Sequence, residues 1–154
     1  MSAPRHHVEY VSSPPEWGPP LRIWDVHRLW QLAEELPIIE IPLSEIQDLE
    51  RVGWYGDPIA YGRLTIREVA AHAKRINEAN LAHPILLSAS GFLFDGLHRA
   101  AKAWMEGRSC ILVKRFAVDP EPDRVRPIPE WLTSLSEKRL ATGCDEISPS
   151  MSPR

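Results

Sequence analysis

The hydrophobic pattern is most regular between Pro84 and Phe116, where its period changes from that of a strand to that of a helix and back. Short runs at Ile85 to Ser88 and Phe92 to Phe94 flank Ala89-Ser90-Gly91, and a glycine there supplies the positive backbone angle of a tight turn. The pair predicts a hairpin. Leu97, Ala100, Ala101 and Trp104 then recur at the three-and-four spacing of a helix face, with Gly107 placed as a left-handed stop. Cys110 to Phe116 resumes a strand. Following a strand and a helix over so few residues, it is predicted to lie parallel to the first strand, through a right-handed crossover.

Upstream, Asp25 is placed to cap a helix whose face is Val26, Leu29, Trp30, Ala33 and Leu36, ended by Pro37. Trp24 and Trp30 read as core or as a contact surface for a second copy, and His27 as helix surface. Ile38 to Leu43 alternates like a strand and leads into a helical turn capped by Ser44. Thr65 and Glu68 form a capping-box pattern that opens a helix predicted to bury Ile66, Val69, Ala70, Ala73 and Ile76. Glu68 and His72 read as a surface pair on that helix. Pro129 is placed to start a last helix through Leu140 that buries Trp131, Leu132 and Leu135. These elements predict an α+β fold, a small mixed sheet with flanking helices. Residues 1–20 are expected as a flexible arm on which Trp17 can dock, 21–140 as one domain, and 141–154 as a disordered tail.

The chain has 154 residues, 44% of them hydrophobic, enough for one domain with a real core. With no apolar run of membrane-span length and no signal-peptide pattern, the expectation is a cytoplasmic protein. Two cysteines, Cys110 and Cys144, are too few for a disulfide framework, and Cys110 is expected as a buried small hydrophobe. A net charge of −3 gives no overall basic field for nucleic acid. The 15 prolines gather at the ends and connections. Among them Asp119, Glu121 and Asp123 alternate with Pro120 and Pro122, a pattern that signals an extended, solvated connector before it signals a cation site.

Chemistry concentrates where the hairpin enters the helix, at Asp95-Gly96-Leu97-His98-Arg99. The first turn of a helix has amides without internal partners and a partial positive charge, so it attracts phosphate oxygens. His98 and Arg99 lie in that turn, Gly96 leaves room for an anion at the backbone, and Asp95 offers a carboxylate for a metal, a water or a hydroxyl. The competing reading is an ordinary Asp-Gly turn before an exposed helix start. Residues 53–63 carry three glycines and three aromatics with little periodicity, so they read either as a lid or substrate wall bearing Trp54, Tyr55 and Tyr61, with Asp57 as a further carboxylate, or as an ordinary packed surface loop. P-loop, dinucleotide-glycine and serine-elbow motifs are absent.

The run from Pro84 to Phe116 resembles the core of the ParB/sulfiredoxin superfamily, whose members carry a D/G-G-x-H-R or G-x-R-R type signature at this strand-to-helix step. The resemblance implies a nucleotide (ATP, ADP or CTP) bound through Gly96, His98 and Arg99. Arg63, Thr65 and Arg67 at the start of the preceding helix would be neighbours of that nucleotide. By analogy with the free serine kinases of that superfamily it implies phosphoryl transfer to a small hydroxylated metabolite. In that analogy Mg2+ is oriented by Asp95, His98 and Arg99 neutralise charge, and Glu50, or failing it Asp57, acts as base. The alternative is a non-catalytic, nucleotide-dependent switch of the partition-protein kind. The short proline-rich remainder after Phe116 stands where partition proteins carry a helix-turn-helix domain, which counts against specific DNA binding. Leu97 occupies the position of the sulfiredoxin nucleophilic cysteine, which counts against that reaction.

Overall fold

A computed structural model describes residues 10–14, 17–51, 53–54 and 64–128. Over these residues the chain is an α+β structure with two small sheets. Its strands are β1 (Tyr10–Ser12), β2 (Leu21–Asp25), β3 (Ile39–Pro42), β4 (Ile85–Leu87), β5 (Leu93–Asp95), β6 (Cys110–Arg115) and β7 (Arg124–Arg126). The helices are α1 (Val26–Leu32), α2 (Ile66–Glu78) and α3 (Leu97–Met105). The main sheet runs β3-β6-β4-β5, and the second runs β1-β2-β7.

The predicted hairpin is β4 and β5, antiparallel, with Gly91 at φ +90° in its turn. α3 then crosses to β6, which pairs parallel to β4 with Ile85 opposite Val113 and Leu87 opposite Arg115. β3 closes the other side antiparallel to β6. Alternation along the strands divides the core between the two faces of this sheet. Ile85, Leu87, Leu93, Ile111 and Val113 pack with Ala100 and Ala103 of α3 and with Leu43 and Ile46. Leu86, Phe94 and Phe116 pack instead with Trp24, Leu29 and Ala33. β4 is therefore buried on both faces, as its unbroken apolar run requires.

The second sheet draws on segments for which no strand was expected. Tyr10–Ser12, within the expected arm, pairs with β2, and Arg124–Arg126, just after the expected connector, pairs with its other edge. Trp17 does dock, meeting Trp24 edge-on at 6.4 Å and Phe92 at 5.6 Å. The acidic stretch diverges into separate tethers. Asp119 accepts the Ala89 amide of the hairpin turn at 2.7 Å, and Asp123 accepts the Asp25 amide at 2.9 Å and Arg28 at 3.0 Å. The Asp25 amide first, outweighing slight desolvation, and then Arg28 hold the Asp123 carboxyl below its ordinary range. Its contribution is present above the ordinary carboxylate pKa and lost as pH falls through the depressed one. Asp123→Ala is expected to cost only about 1 kcal/mol, because the pair is largely exposed, and to speed amide exchange selectively in β7.

Three local expectations are corrected. The turn after β3 is a 3-10 helix, Leu43–Glu45, with Pro42 in the cap position and no side-chain bond from Ser44. α1 is capped by Asp25 as expected but stops at Leu32, one turn before Pro37, although Leu36 still packs on the core. Cys110 is half-buried, not sealed in the core. Two helices also present faces other than the expected ones. α3 buries Ala100 and Ala103, small residues that let its backbone approach the sheet, and leaves Trp104 68% exposed. α2 has the predicted capping box, yet Ile66 is 91% exposed and Val69, Ala70 and Ala73 are exposed as well. The side of α2 that faces α3 carries His72 and Arg75 instead. The predicted last helix, the tail, Asp57, Tyr55, Tyr61, Arg63 and Cys144 lie outside the described residues.

Candidate anion-binding site

α3 begins at Gly96, whose φ of +109° is the left-handed conformation that side-chain-bearing residues resist. A Cβ there would stand 2.5 Å from Ile85 Cγ2, so the absence of a side chain serves helix-to-strand packing. That reason differs from the expected one, clearance for an anion. With the helix start pinned against β4, the 100° step between successive helical residues sends His98 and Arg99 to different neighbours.

Arg99 turns toward α1. Its Nη2 donates to Asp95 Oδ2 at 3.2 Å, its guanidinium lies 5.8 Å from the centre of the Trp30 ring, and Trp30 Nε1 donates to the same Asp95 oxygen at 2.8 Å. Asp95 and Arg99 thus stitch the sheet edge to α1. This arrangement does not fit a protein-held magnesium site at Asp95, because the oxygen is engaged twice and a cation already sits beside it. Among the described residues no group of three or more His, Cys, Asp or Glu side chains gathers around a possible ion.

His98 turns toward α2. Its Nε2 lies 2.9 Å from His72 Nδ1, Arg75 Nε donates to His98 Nε2 at 3.3 Å, and Arg75 Nη2 lies 3.0 Å from His72 Nδ1. Trp54 stacks across both rings, with centroids at 4.4 Å from His72 and 4.9 Å from His98. Gly53 permits this by passing close over Leu97, where a Cβ would meet Leu97 Cδ2 at 2.5 Å.

Nitrogen-bearing side chains converge in this cluster. Each ring nitrogen is donor or acceptor according to its tautomer, and Arg75, which can only donate, directs N–H groups at both. Its guanidinium gives the cluster a fixed positive charge that an oxyanion placed among the three side chains would complement. Partial burial first, and then the Arg75 cation, push the His72 pKa below its ordinary value, with Glu68 acting in the opposite direction.

The other expected residues take separate places. Thr65 accepts the Glu68 amide at 3.2 Å while Glu68 accepts the Thr65 amide at 2.6 Å, so both are caps. Arg67 is exposed, and Glu50 is exposed in the 3-10 helix Gln47–Glu50. Asp48, beside it, is buried and accepts the Leu93 amide at 3.1 Å. His72 and Arg75 were missed as site residues. Their signal was the three-residue spacing that puts both on one face of α2.

No protein-family model, curated protein or solved structure matches the chain. No helix among the described residues is long and apolar enough to cross a membrane.

Proposed function

We propose that the protein binds the phosphate groups of a nucleotide between α2 and α3, and uses that binding to transfer a phosphoryl group to a small hydroxylated metabolite. The observation that carries the reading is the meeting of the Arg75 guanidinium with the His72 and His98 rings beside the first turn of α3. Amides of that turn and three nitrogen-bearing side chains offer the fixed positive environment on which phosphoryl transfer mainly depends. In the transfer the acceptor oxygen attacks the terminal phosphorus, the remaining nucleotide leaves with the bond electrons, and the acceptor proton passes to Glu50 or Asp57. The resemblance to ParB/sulfiredoxin-like proteins points to the same part of the chain.

A nucleotide-dependent switch without transfer is the second reading, favoured by one observation. Asp95, a candidate for orienting the acceptor, is committed to Trp30 and Arg99. Incubation with ATP, ADP or CTP, magnesium and hydroxylated metabolites separates the two. A phosphorylated small molecule supports transfer, and saturable nucleotide binding without product supports the switch. In either case Arg75→Gln is expected to weaken nucleotide binding at least about tenfold, the loss of a charge-assisted bond. Unchanged affinity in a folded Arg75→Gln variant removes the site.

A further inference from the structure

Trp54 also lines a concavity that contains none of His72, Arg75 and His98. It is a cleft of about 450 Å³ between the 3-10 helix Gln47–Glu50 and the outer face of α3. That volume is in the range of small-molecule sites, which are largely apolar with a few polar groups fixing orientation. Leu49, Ile76, Leu97 and Ala101 line it, and Trp104 and Met105 of α3 stand over it, 68% and 59% exposed. These are large apolar side chains that the fold of the described residues leaves in water.

Arg51 lines the same cleft with incomplete pairing. Its Nη1 is buried without a hydrogen-bond partner, and Asp48 Oδ1 stands 4.0 Å from it, past hydrogen-bonding reach. Asp48 is itself engaged by the Leu93 amide. Part of the guanidinium side chain, 30%, remains open. Its charge is paired with Asp48 at ion-pair distance but its hydrogen-bonding capacity is not filled, and such a planar donor beside an apolar wall matches a carboxylate carried on an apolar body.

Asp48 and Glu50 also line the cleft and oppose an anion. Glu50 is exposed, where water screens its repulsion, and the buried Asp48 is turned to the Leu93 amide, while a hydrogen bond to a charged group is worth about 1.5–3 kcal/mol. Binding therefore rests on the guanidinium outweighing both carboxylates.

We propose that this cleft binds a small monocarboxylate with an apolar or aromatic body, its carboxylate on Arg51 and its body against Trp104 and Met105. The site shares Trp54 with the phosphate cluster and Glu50 with the proposed transfer, but none of His72, Arg75 and His98 lines it. The probe is 4-phenylbutyrate, titrated without nucleotide and followed by the Trp104 indole resonance, with 4-phenylbutan-1-ol and adipate as comparisons. The alcohol lacks the charge, and adipate would press a second carboxylate onto the apolar wall. Saturable 4-phenylbutyrate binding at millimolar concentration or below, at least about tenfold tighter than either comparison, is the expected result.

Arg51→Gln is expected to reduce 4-phenylbutyrate to the level of the alcohol, and Glu50→Gln to raise its affinity about twofold. Ala101→Met, which fills the cleft from a half-buried position on α3, should abolish binding of both. Arg75→Gln should leave it unchanged, so failure here and failure of the phosphate site are distinguishable. Equal affinity for acid and alcohol, an Arg51→Gln variant that binds as well as the wild type, or no indole shift at millimolar probe overturns the proposal.

Discussion

Gly96→Ala is expected to destabilise the protein by about 2–5 kcal/mol, a large part of the stability of an ordinary domain. Two effects add. A residue with a Cβ held in the left-handed region costs about 1–2 kcal/mol, and overpacking a core position costs about 1–3 kcal/mol more. The second applies because the new methyl would stand 2.5 Å from Ile85 Cγ2 and 2.9 Å from its Cβ, and Ile85 is fully buried in the central strand. Gly107→Ala is the matched comparison, since φ there is +68° and nothing lies within 4 Å of the new Cβ. That variant should lose only about 1 kcal/mol. Urea denaturation of the two measures the difference directly. If Gly96→Ala loses no more than Gly107→Ala, the helix start is not locked onto β4, and the separation of His98 from Arg99 loses its cause.

That lock marks the boundary between what the chain discloses locally and what it does not. The hairpin, α3, the Gly107 stop and the parallel β6 were legible because each rests on signals within a few residues: a turn glycine, an Asp-Gly step, a helical period. The second sheet was not legible. Its outer strands are three residues each, too short for a period, and Leu21 pairs with Arg126 across most of the sequence. The facing of α2 was misread for a different reason. Apolar periodicity says which residues would gain from burial, but the sheet can accept only one layer on that side, and α3 with its alanines occupies it. α2 packs against α3 through polar side chains and leaves Ile66 and Val69 outside. The same limit governs the site. Asp95, His98 and Arg99 are neighbours in sequence and share one motif, yet Arg99 and Asp95 meet a tryptophan from α1 while His98 meets α2. Only the tertiary partners, Trp30 and His72, decide that division.

The same division makes the α2–α3 junction respond to pH in opposite senses with and without an anion. His72 is held below its ordinary pKa, chiefly by burial and then by Arg75, so in the free protein it resists protonation. The stability it contributes is complete above the unfolded-state value near 6.5 and is lost as pH falls from there toward the depressed folded value. An oxyanion bound among His72, Arg75 and His98 offsets the guanidinium, the second of these causes, and sets a negative charge beside the imidazole, so binding should take up a proton. Sulfate is the probe of choice, because its own charge is constant through the window in which imidazole titrates. Its affinity is expected to rise as pH falls between about 8 and 6, by at most about tenfold per pH unit, the limit for one coupled proton. Thermal unfolding should then show falling stability with falling pH in the absence of sulfate and a shallower or reversed trend in its presence. His72→Asn should flatten the affinity profile while leaving residual binding through Arg75 and the helix start. Arg99→Ala should not alter the profile, because its guanidinium belongs to Asp95 and Trp30. Isothermal titration of wild type and the two variants reads all of this. A flat wild-type profile, or a pH dependence that follows Arg99 and not His72, would place the anion elsewhere.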